Sequence, residues 1–244
     1  ISACLVGSEM CIRDRLMTQA IANALKAGKT VAFLGNEENA SSIYRRLKLR
    51  LGSQFDLPKL IAEKKLRLIT DDSFPQVRQW KMVGPFVERK LMDVDVVVLD
   101  QLNYMSEPGD GSNDKELFIA IPRVLSDFKK LINGSKQSPA IICTQQMSTP
   151  ERTKRGEIKP ENWRLDALLR DSKKSRFQCT HVLLYYYDMI GKQGYLKLDK
   201  FRETANPNLV VDNPIVDVMM SRGELYAYDH TEEEPDPKGG GWRV

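Results

Sequence analysis

The stretch that most constrains this chain is residues 95–103 (DVVVLDQLN), in which four consecutive apolar residues stand between polar ends. The run is too short and too rich in β-branched residues for a helix. It predicts a strand buried on both faces, as in a parallel sheet covered by helices on each side. Chemistry in such sheets collects at the carboxyl ends of the strands, and this strand ends in the carboxylate of Asp100. An Asp here also serves as a turn former or helix cap, so the neighbouring segments must decide.

Helical and strand patterns alternate along most of the chain. Residues 16–27 (LMTQAIANALKA) have the apolar spacing of a helix, and Gly28 follows as its C-cap. Residues 30–34 predict a buried strand and residues 40–51 a basic amphipathic helix. The same patterns predict strands at residues 66–69, 139–144 and 182–187, and helices at residues 77–92 and 115–132.

The pattern changes near the end of the chain. Strands are predicted at residues 194–202, 215–220 and 225–228 without helices between them, and residues 221–224 give a hairpin signal. The predicted fold is therefore α/β, with a mostly parallel, doubly wound sheet and an antiparallel C-terminal hairpin. The charged, Gly-rich tail at residues 230–244 is expected to be disordered.

Composition narrows the class of protein. The 244 residues, 41% apolar and 29% charged, suit one large domain with a single core. No uncharged run of about eighteen apolar residues occurs, so no membrane span is expected. Four cysteines without a CxxC pair and two histidines give no zinc or haem signature. The sequence predicts a reduced, cytoplasmic protein.

Residues 1–15 (ISACLVGSEMCIRDR) differ in sequence pattern from the rest of the chain. They show neither clean helical nor clean strand periodicity, and they lack the order of regions of a signal peptide. The tract resembles translated sequencing-adaptor sequence, so we interpret it as a non-native leader before a core at residues 16–229. A helix such as residues 16–27 normally follows a phosphate-binding loop. The first strand and that loop are therefore predicted to be missing.

The triplet Gly28-Lys29-Thr30 does not supply the loop. The phosphate-loop pattern ends in GKS or GKT, but it must follow a strand and open a helix, so that backbone N–H groups face the phosphates. Here a helix precedes the triplet and a strand follows it. We interpret the triplet as a helix-to-strand turn.

The order of polar residues at the predicted strand ends resembles a known family. The residues that carry the resemblance are Glu37, Glu38, Asp100, Gln145, Lys200 and Arg202. They are similar to the RecA-like ATPase core of hexameric replicative helicases of the DnaB-like and phage primase-helicase type, superfamily 4, over about residues 16–228. The resemblance implies ATP or another nucleoside triphosphate, Mg²⁺, single-stranded DNA and a homo-oligomeric, hexameric ring with sites at subunit interfaces. It also implies the cytoplasm of a bacterium or of a phage-infected cell.

The resemblance also implies roles for single residues. Asp100 holds Mg²⁺ through water, and Glu37, or its neighbour Glu38, activates the attacking water. Gln145, or Gln146, senses the γ-phosphate. Phosphoryl transfer depends chiefly on such positioning and on neutralising charge, which carboxylates and amides at strand ends can provide.

Lys200 and Arg202 stand two residues apart on a predicted strand, so both side chains point to one face. In the family a basic pair here reaches the ATP site of the neighbouring subunit, where a trans arginine stabilises transition-state charge. The alternative is an edge strand decorated with exposed basic residues.

Residues 147–178 carry nine Lys and Arg against five Asp and Glu, an excess equal to the net charge of +4. Such a segment favours a polyanion as partner. The resemblance implies a loop that grips single-stranded DNA, although Lys173 stands where the family's LRxS motif is usually followed by glycine. A solvated charged loop is the alternative. The candidate DNA-binding residues are Arg152, Lys154, Arg155, Arg170, Lys173 and Lys174.

These patterns predict the motor core of a phage-like, ATP-dependent replicative DNA helicase. Without a phosphate loop the chain as it stands is expected to be inactive. Two alternatives remain open: a RecA/RadA-like recombinase or other RecA-fold ATPase, and a non-catalytic DNA-binding module.

Overall fold

The computed structural model describes residues 2–7, 10–105, 114–135, 137–146, 178–188, 193–201, 215–221 and 224–227. The strands are β1 (Ser2–Gly7), β2 (Val31–Gly35), β3 (Leu66–Thr70), β4 (Val96–Asp100), β5 (Ala140–Gln146), β6 (His181–Asp188), β7 (Gln193–Phe201), β8 (Ile215–Ser221) and β9 (Glu224–Ala227). The α-helices are α1 (Met10–Lys26), α2 (Ala40–Leu51), α3 (Leu57–Ala62), α4 (Trp80–Lys90) and α5 (Asp114–Gly134). Two short 3₁₀ helices cover Pro75–Arg78 and Leu102–Tyr104.

Within the described residues the strands form one nine-stranded sheet in the order β3-β2-β4-β5-β1-β6-β7-β8-β9. The strands from β3 to β6 in that order pair in parallel, and β6 to β9 pair in antiparallel fashion. Connections that contain helices join β1 to β2, β2 to β3, β3 to β4 and β4 to β5, and β8 and β9 form a hairpin. The predicted α/β architecture, mostly parallel with an antiparallel end, is confirmed.

The prediction that the first strand is missing is wrong. Ser2–Gly7 forms β1 and lies between β5 and β6, with Cys4 in register with Cys143 on one side and Val182 on the other. A strand inside a parallel sheet is covered on both faces and needs no apolar alternation. The absence of periodicity in this segment was therefore no argument against a strand. That residues 1–15 are a non-native leader stays a prediction.

Alternating side chains of the central strands divide the core into two layers. Val31 and Phe33 of β2 pack with helices α1 to α3 on one face of the sheet. Ala32 and Leu34 of the same strand pack with α4 and α5 on the other. All four side chains are fully buried. This double covering agrees with the continuous apolar runs in β2 and β4.

Local signals set the helix ends. Asn39 caps α2, its side chain accepting a hydrogen bond of 2.9 Å from the N–H of Ser42. Gly28 follows α1 with φ +73°, as its predicted C-cap role requires. Helix α3 was not predicted, because its six residues are too few to show helical periodicity; Asp56 caps it, accepting from the N–H of Lys59 at 3.1 Å.

Among the described residues no helix combines the length and the apolar character needed to cross a membrane.

Candidate functional site

Three of the predicted site residues meet at the carboxyl edge of the parallel sheet. Gly35, which ends β2, is in register with Asp100 at the end of β4, and Glu37 lies two residues beyond. Strand β5 pairs with the other side of β4 and carries Gln145 near its end. The parallel pairing of three strands therefore brings Glu37, Asp100 and Gln145 to one edge of the sheet.

Asp100 is fully buried. Its Oδ1 accepts a hydrogen bond from Thr144 Oγ1 and lies 3.2 Å from Nε of Arg13. Its Oδ2 is buried and has no hydrogen-bond partner within the described part of the chain. Burial raises the pKa of Asp100 from its ordinary 3.8 to about 6, although Arg13 and the Thr144 hydroxyl favour the charged form. The site thus contains a carboxylate oxygen that is available to a ligand or a water.

Arg13 is the cation of this site, and sequence reasoning missed it because it lies among the residues interpreted as a leader. Its guanidinium pairs with Oε2 of Glu37 and, at 3.2 Å each, with Oδ1 of Asp14 and Oδ1 of Asp100. Nη1 also donates to Gln101 Oε1 at 2.6 Å. Burial lowers the pKa of Arg13, but Asp100, Glu37 and Asp14 together raise it above its ordinary value. The guanidinium therefore stays charged.

Glu37 and Glu38 have different partners. Glu37 faces Arg13, whereas Glu38 Oε2 accepts from Arg46 of α2 at 2.6 Å. Arg46 also bonds Asp14 Oδ2 at 3.1 Å and so joins α2 to α1. Burial and the charge of Asp14 raise the pKa of Glu38, and Arg46 opposes that shift. Of the two glutamates, only Glu37 is directly paired, through Arg13, with the cluster around Asp100 in the described contacts.

Asn36 and Gln101 also belong to this edge and were not predicted. Both are fully buried. The Asn36 side chain donates to the carbonyl of Gln101 at 2.9 Å and accepts from its N–H at 2.6 Å. Gln101 Nε2 donates to Glu37 Oε2 at 2.7 Å. A polar residue directly after a buried strand was the signal that could have indicated both.

Gly35 allows the chain to turn tightly into this cluster. A Cβ at this position would lie 2.5 Å from the ring of Phe33 and 3.2 Å from the carbonyl oxygen of Glu38. The packing of β2 therefore leaves no space for a side chain directly before Asn36.

The residues present fit a hard cation better than they fit a phosphate chain. Four carboxylates stand against two guanidinium groups, a formal charge of −2, and oxygen atoms are the ligands that Mg²⁺ prefers. Within the described ranges no group of three or more His, Cys, Asp or Glu is arranged to hold a metal directly. Residues 7–14 (GSEMCIRD), which lead from the end of β1 into α1, do not match GxxxxGKS or GxxxxGKT. The described residues therefore supply an oxygen ligand but no phosphate cradle.

Gln145 is buried, and its Oε1 has no hydrogen-bond partner within the described part of the chain. Lys200 is placed elsewhere. It pairs with Val182 near the amino end of β6, at the opposite edge of the sheet from Asp100. Arg202 lies outside the described residues, as do the six candidate DNA-binding residues, which are Arg152, Lys154, Arg155, Arg170, Lys173 and Lys174.

Comparisons with known proteins show the fold. The chain is similar to a KaiC-like protein from the hyperthermophilic archaeon Pyrococcus horikoshii, with a TM-score of 0.61 at 14% identity over 93% of this chain and 89% of that one. It is also similar to the flagellar accessory protein FlaH from Methanocaldococcus jannaschii, with a TM-score of 0.59 at 12% identity and the same coverage. No family description and no curated protein sequence matches it. The fold is RecA-like.

Proposed function

We propose that the chain is the core of a RecA-fold nucleoside triphosphatase that hydrolyses ATP with Mg²⁺. The observation that carries the proposal is the meeting of Glu37, Asp100 and Gln145 at the carboxyl edge of three paired parallel strands, with Asp100 Oδ2 buried and unpaired within the described residues. Ligands of open α/β folds bind at this edge.

Each residue suits a different part of the reaction. Asp100 supplies a carboxylate oxygen for the shell of a Mg²⁺ ion, which when bound neutralises phosphate charge. Glu37 is in the position to take the proton of the attacking water as the bond from the terminal phosphorus to its bridging oxygen breaks. The Gln145 amide can donate to a phosphate oxygen. The separate pairing of Glu38 with Arg46 favours Glu37 as the base.

The finer proposal is a ring-forming replicative helicase that acts on single-stranded DNA in the cytoplasm. The order of the strand-end residues supports it, as does the basic segment at residues 147–178, since Lys and Arg contacts to phosphate are independent of sequence. Lys200 lies at the opposite edge of the sheet from Asp100. That position suits a residue that serves a neighbouring subunit better than one that serves its own site.

The test begins with the native reading frame upstream of Leu16. We expect it to encode a strand followed by GxxxxGKS or GxxxxGKT that runs into the present α1. The protein made from that frame should hydrolyse ATP faster with single-stranded DNA. Asp100→Asn and Arg202→Ala should each lower the turnover number by at least about 100-fold. Asp95→Asn, at the other end of the same strand, is the control and should change it less than twofold.

Undiminished turnover in both variants would contradict the proposal. A duplex-unwinding assay separates the two ATPase functions, because a recombinase coats DNA and exchanges strands but does not unwind processively.

A second function is favoured by one observation on the chain as it stands. No phosphate-loop pattern stands between β1 and α1, and Arg13 already pairs with Glu37 and Asp100. A chain of this kind would bind DNA without turning over nucleotide. Fluorescence anisotropy with labelled single-stranded DNA tests it. Replacing Lys154 and Arg155 by Gln should reduce the salt dependence of binding by roughly one or two phosphate contacts. Salt-independent binding would count against this function.

A further inference from the structure

The ends of β2 and β4 are joined by more than the sheet ladder. The register between these strands ends at Gly35 and Asp100, and the N–H of Asn36 donates to the Asp100 carbonyl at 2.8 Å. One residue further, the Asn36 carboxamide makes both a donor and an acceptor bond to the backbone of Gln101, at 2.9 and 2.6 Å. A side chain thus continues the pairing after the strands themselves have ended.

This pairing fixes the backbone of Gln101, and the Gln101 side chain contacts Glu37. Its Nε2 donates to Glu37 Oε2 at 2.7 Å, and its Oε1 accepts from Arg13 at 2.6 Å. Both described donors to Glu37, Gln101 and Arg13, reach the same oxygen. Oε1 of Glu37 has no hydrogen bond within the described residues.

We propose that Gln101, held by Asn36, is a positioning residue that fixes the Glu37 carboxylate so that Oε1 stays open to the attacking water. The inference rests on the proposed function, because it assigns Gln101 a task in that reaction. An amide that donates to one oxygen of a carboxylate fixes the rotation of the group and leaves the other oxygen as the proton acceptor. The task is separate from charge compensation, which Arg13 already provides.

Burial makes the arrangement specific. Asn36 and Gln101 are both fully buried, so each amide group must be satisfied inside the protein. Loss of a single partner leaves a buried donor or acceptor unpaired. Other orientations of Gln101 would break the bonds to Glu37 and Arg13 together. The site is therefore built to hold one orientation of the base.

The first experiment tests the contact on the chain as it exists. Urea unfolding is measured for the wild type, Gln101→Met, Glu37→Met and the double variant. Methionine keeps the side-chain length but has no N–H donor. We expect the unfolding equilibrium constants to be non-additive by about tenfold. A second cycle between Gln101→Met and Thr70→Val, a buried polar residue at the end of β3, is the control and should be additive within about twofold.

The second experiment tests the task, in the protein made from the native upstream frame. Gln101→Met should lower the turnover number for ATP by about 10- to 100-fold and change KM by less than twofold, because binding groups are untouched. Gln101→Glu keeps an acceptor oxygen at the end of the side chain but has no donor for Glu37 when ionised. It should therefore be impaired at least as strongly, whereas a role that needs only the acceptor oxygen of residue 101 would leave it nearly normal.

The outcomes separate the two proposals. Additive effects of Gln101→Met and Glu37→Met, or an unchanged turnover number in an active protein, would overturn the positioning task alone. Coupled stability effects, together with no nucleotide hydrolysis by the protein made from the native upstream frame, would overturn the proposed function, and with it the catalytic task, while leaving the contact established.

Discussion

Strand β4 has an aspartate at each end, and the two differ in almost every physical respect. Asp100, at the carboxyl end, is fully buried among Arg13, Thr144 and Glu37. Asp95, directly before the strand, is 41% exposed. Burial raises the pKa of Asp100 to about 6, whereas the pKa of Asp95 is held below its ordinary value, chiefly by the backbone N–H of Thr30.

The exposed end is a structural cap. Asp95 Oδ2 accepts from both the N–H and the hydroxyl of Thr30 at 2.8 Å each, and the Thr30 hydroxyl accepts in turn from the Asp95 N–H at 2.8 Å. Lys29 adds an ion pair at 3.3 Å. These bonds favour the charged form at little desolvation cost, so this aspartate stabilises the folded state.

The buried end works against stability. Removing four carboxylates from water is unfavourable, and two guanidinium groups offset only part of that cost. The proposed function would give this cluster a chemical task at the carboxyl edge of the sheet. At one end of the strand Asp95 therefore stabilises the folded state, whereas at the other end the burial of Asp100 costs stability.

The largest expected effect on stability comes from replacing the buried cation, Arg13. Arg13→Met should lower the free energy of unfolding by about 3 to 5 kcal/mol at pH 7, because it removes a buried cation that pairs with three carboxylates. Lys29→Met, which removes the cation beside Asp95, should cost less than about 1 kcal/mol. Urea unfolding of both variants measures the difference. Equal losses would show that the two ends of the strand are not distinct.

The second prediction concerns pH. Since the pKa of Asp100 is higher in the folded chain than its ordinary 3.8, the folded state binds more protons between about pH 4 and pH 6. The contribution of Asp100 to stability therefore falls as pH rises through that window. A pKa change from 3.8 to about 6 corresponds to about 3 kcal/mol of unfolding free energy.

The Asp100→Asn variant has no titrating group at this position. Its free energy of unfolding should therefore rise by that amount relative to wild type between pH 4 and pH 7. Unfolding curves at several pH values measure it, with circular dichroism spectra checking that the fold is kept. A stability difference that is flat with pH would contradict the raised pKa.

The smallest expected effect is at the exposed end. Asp95→Asn keeps one acceptor for Thr30 and should cost less than about 1 kcal/mol at pH 7. Because the pKa of Asp95 is lowered on folding, this loss should be present above about pH 4 and disappear as pH falls further. Thermal unfolding between pH 3 and pH 7 measures it. A loss that grows at acidic pH would reverse the assignment of Asp95 as a cap.

Much of the fold followed from local patterns. The helix at residues 40–51 was predicted with the bounds that α2 has, and the buried run that ends at Asp100 is β4. Continuous apolar runs, caps and a hairpin signal depend on residues that are near in sequence, so they can be recognised from the sequence alone. Strand β1 was not predicted, although residues 3–6 form a continuous apolar run like that of β4, because residues 1–15 were interpreted as a leader.

The sequence by itself determined the α/β class and the polar residues that follow the strands, Glu37, Asp100 and Gln145. Only the tertiary structure decided which groups those residues meet. Arg13 lies 24 residues from Glu37 along the chain, and Gln101 lies 64 residues from it, yet both bond the same carboxylate oxygen. The register of the sheet and a crossover helix bring these side chains together. No local sequence pattern indicates a contact that is made across the sheet.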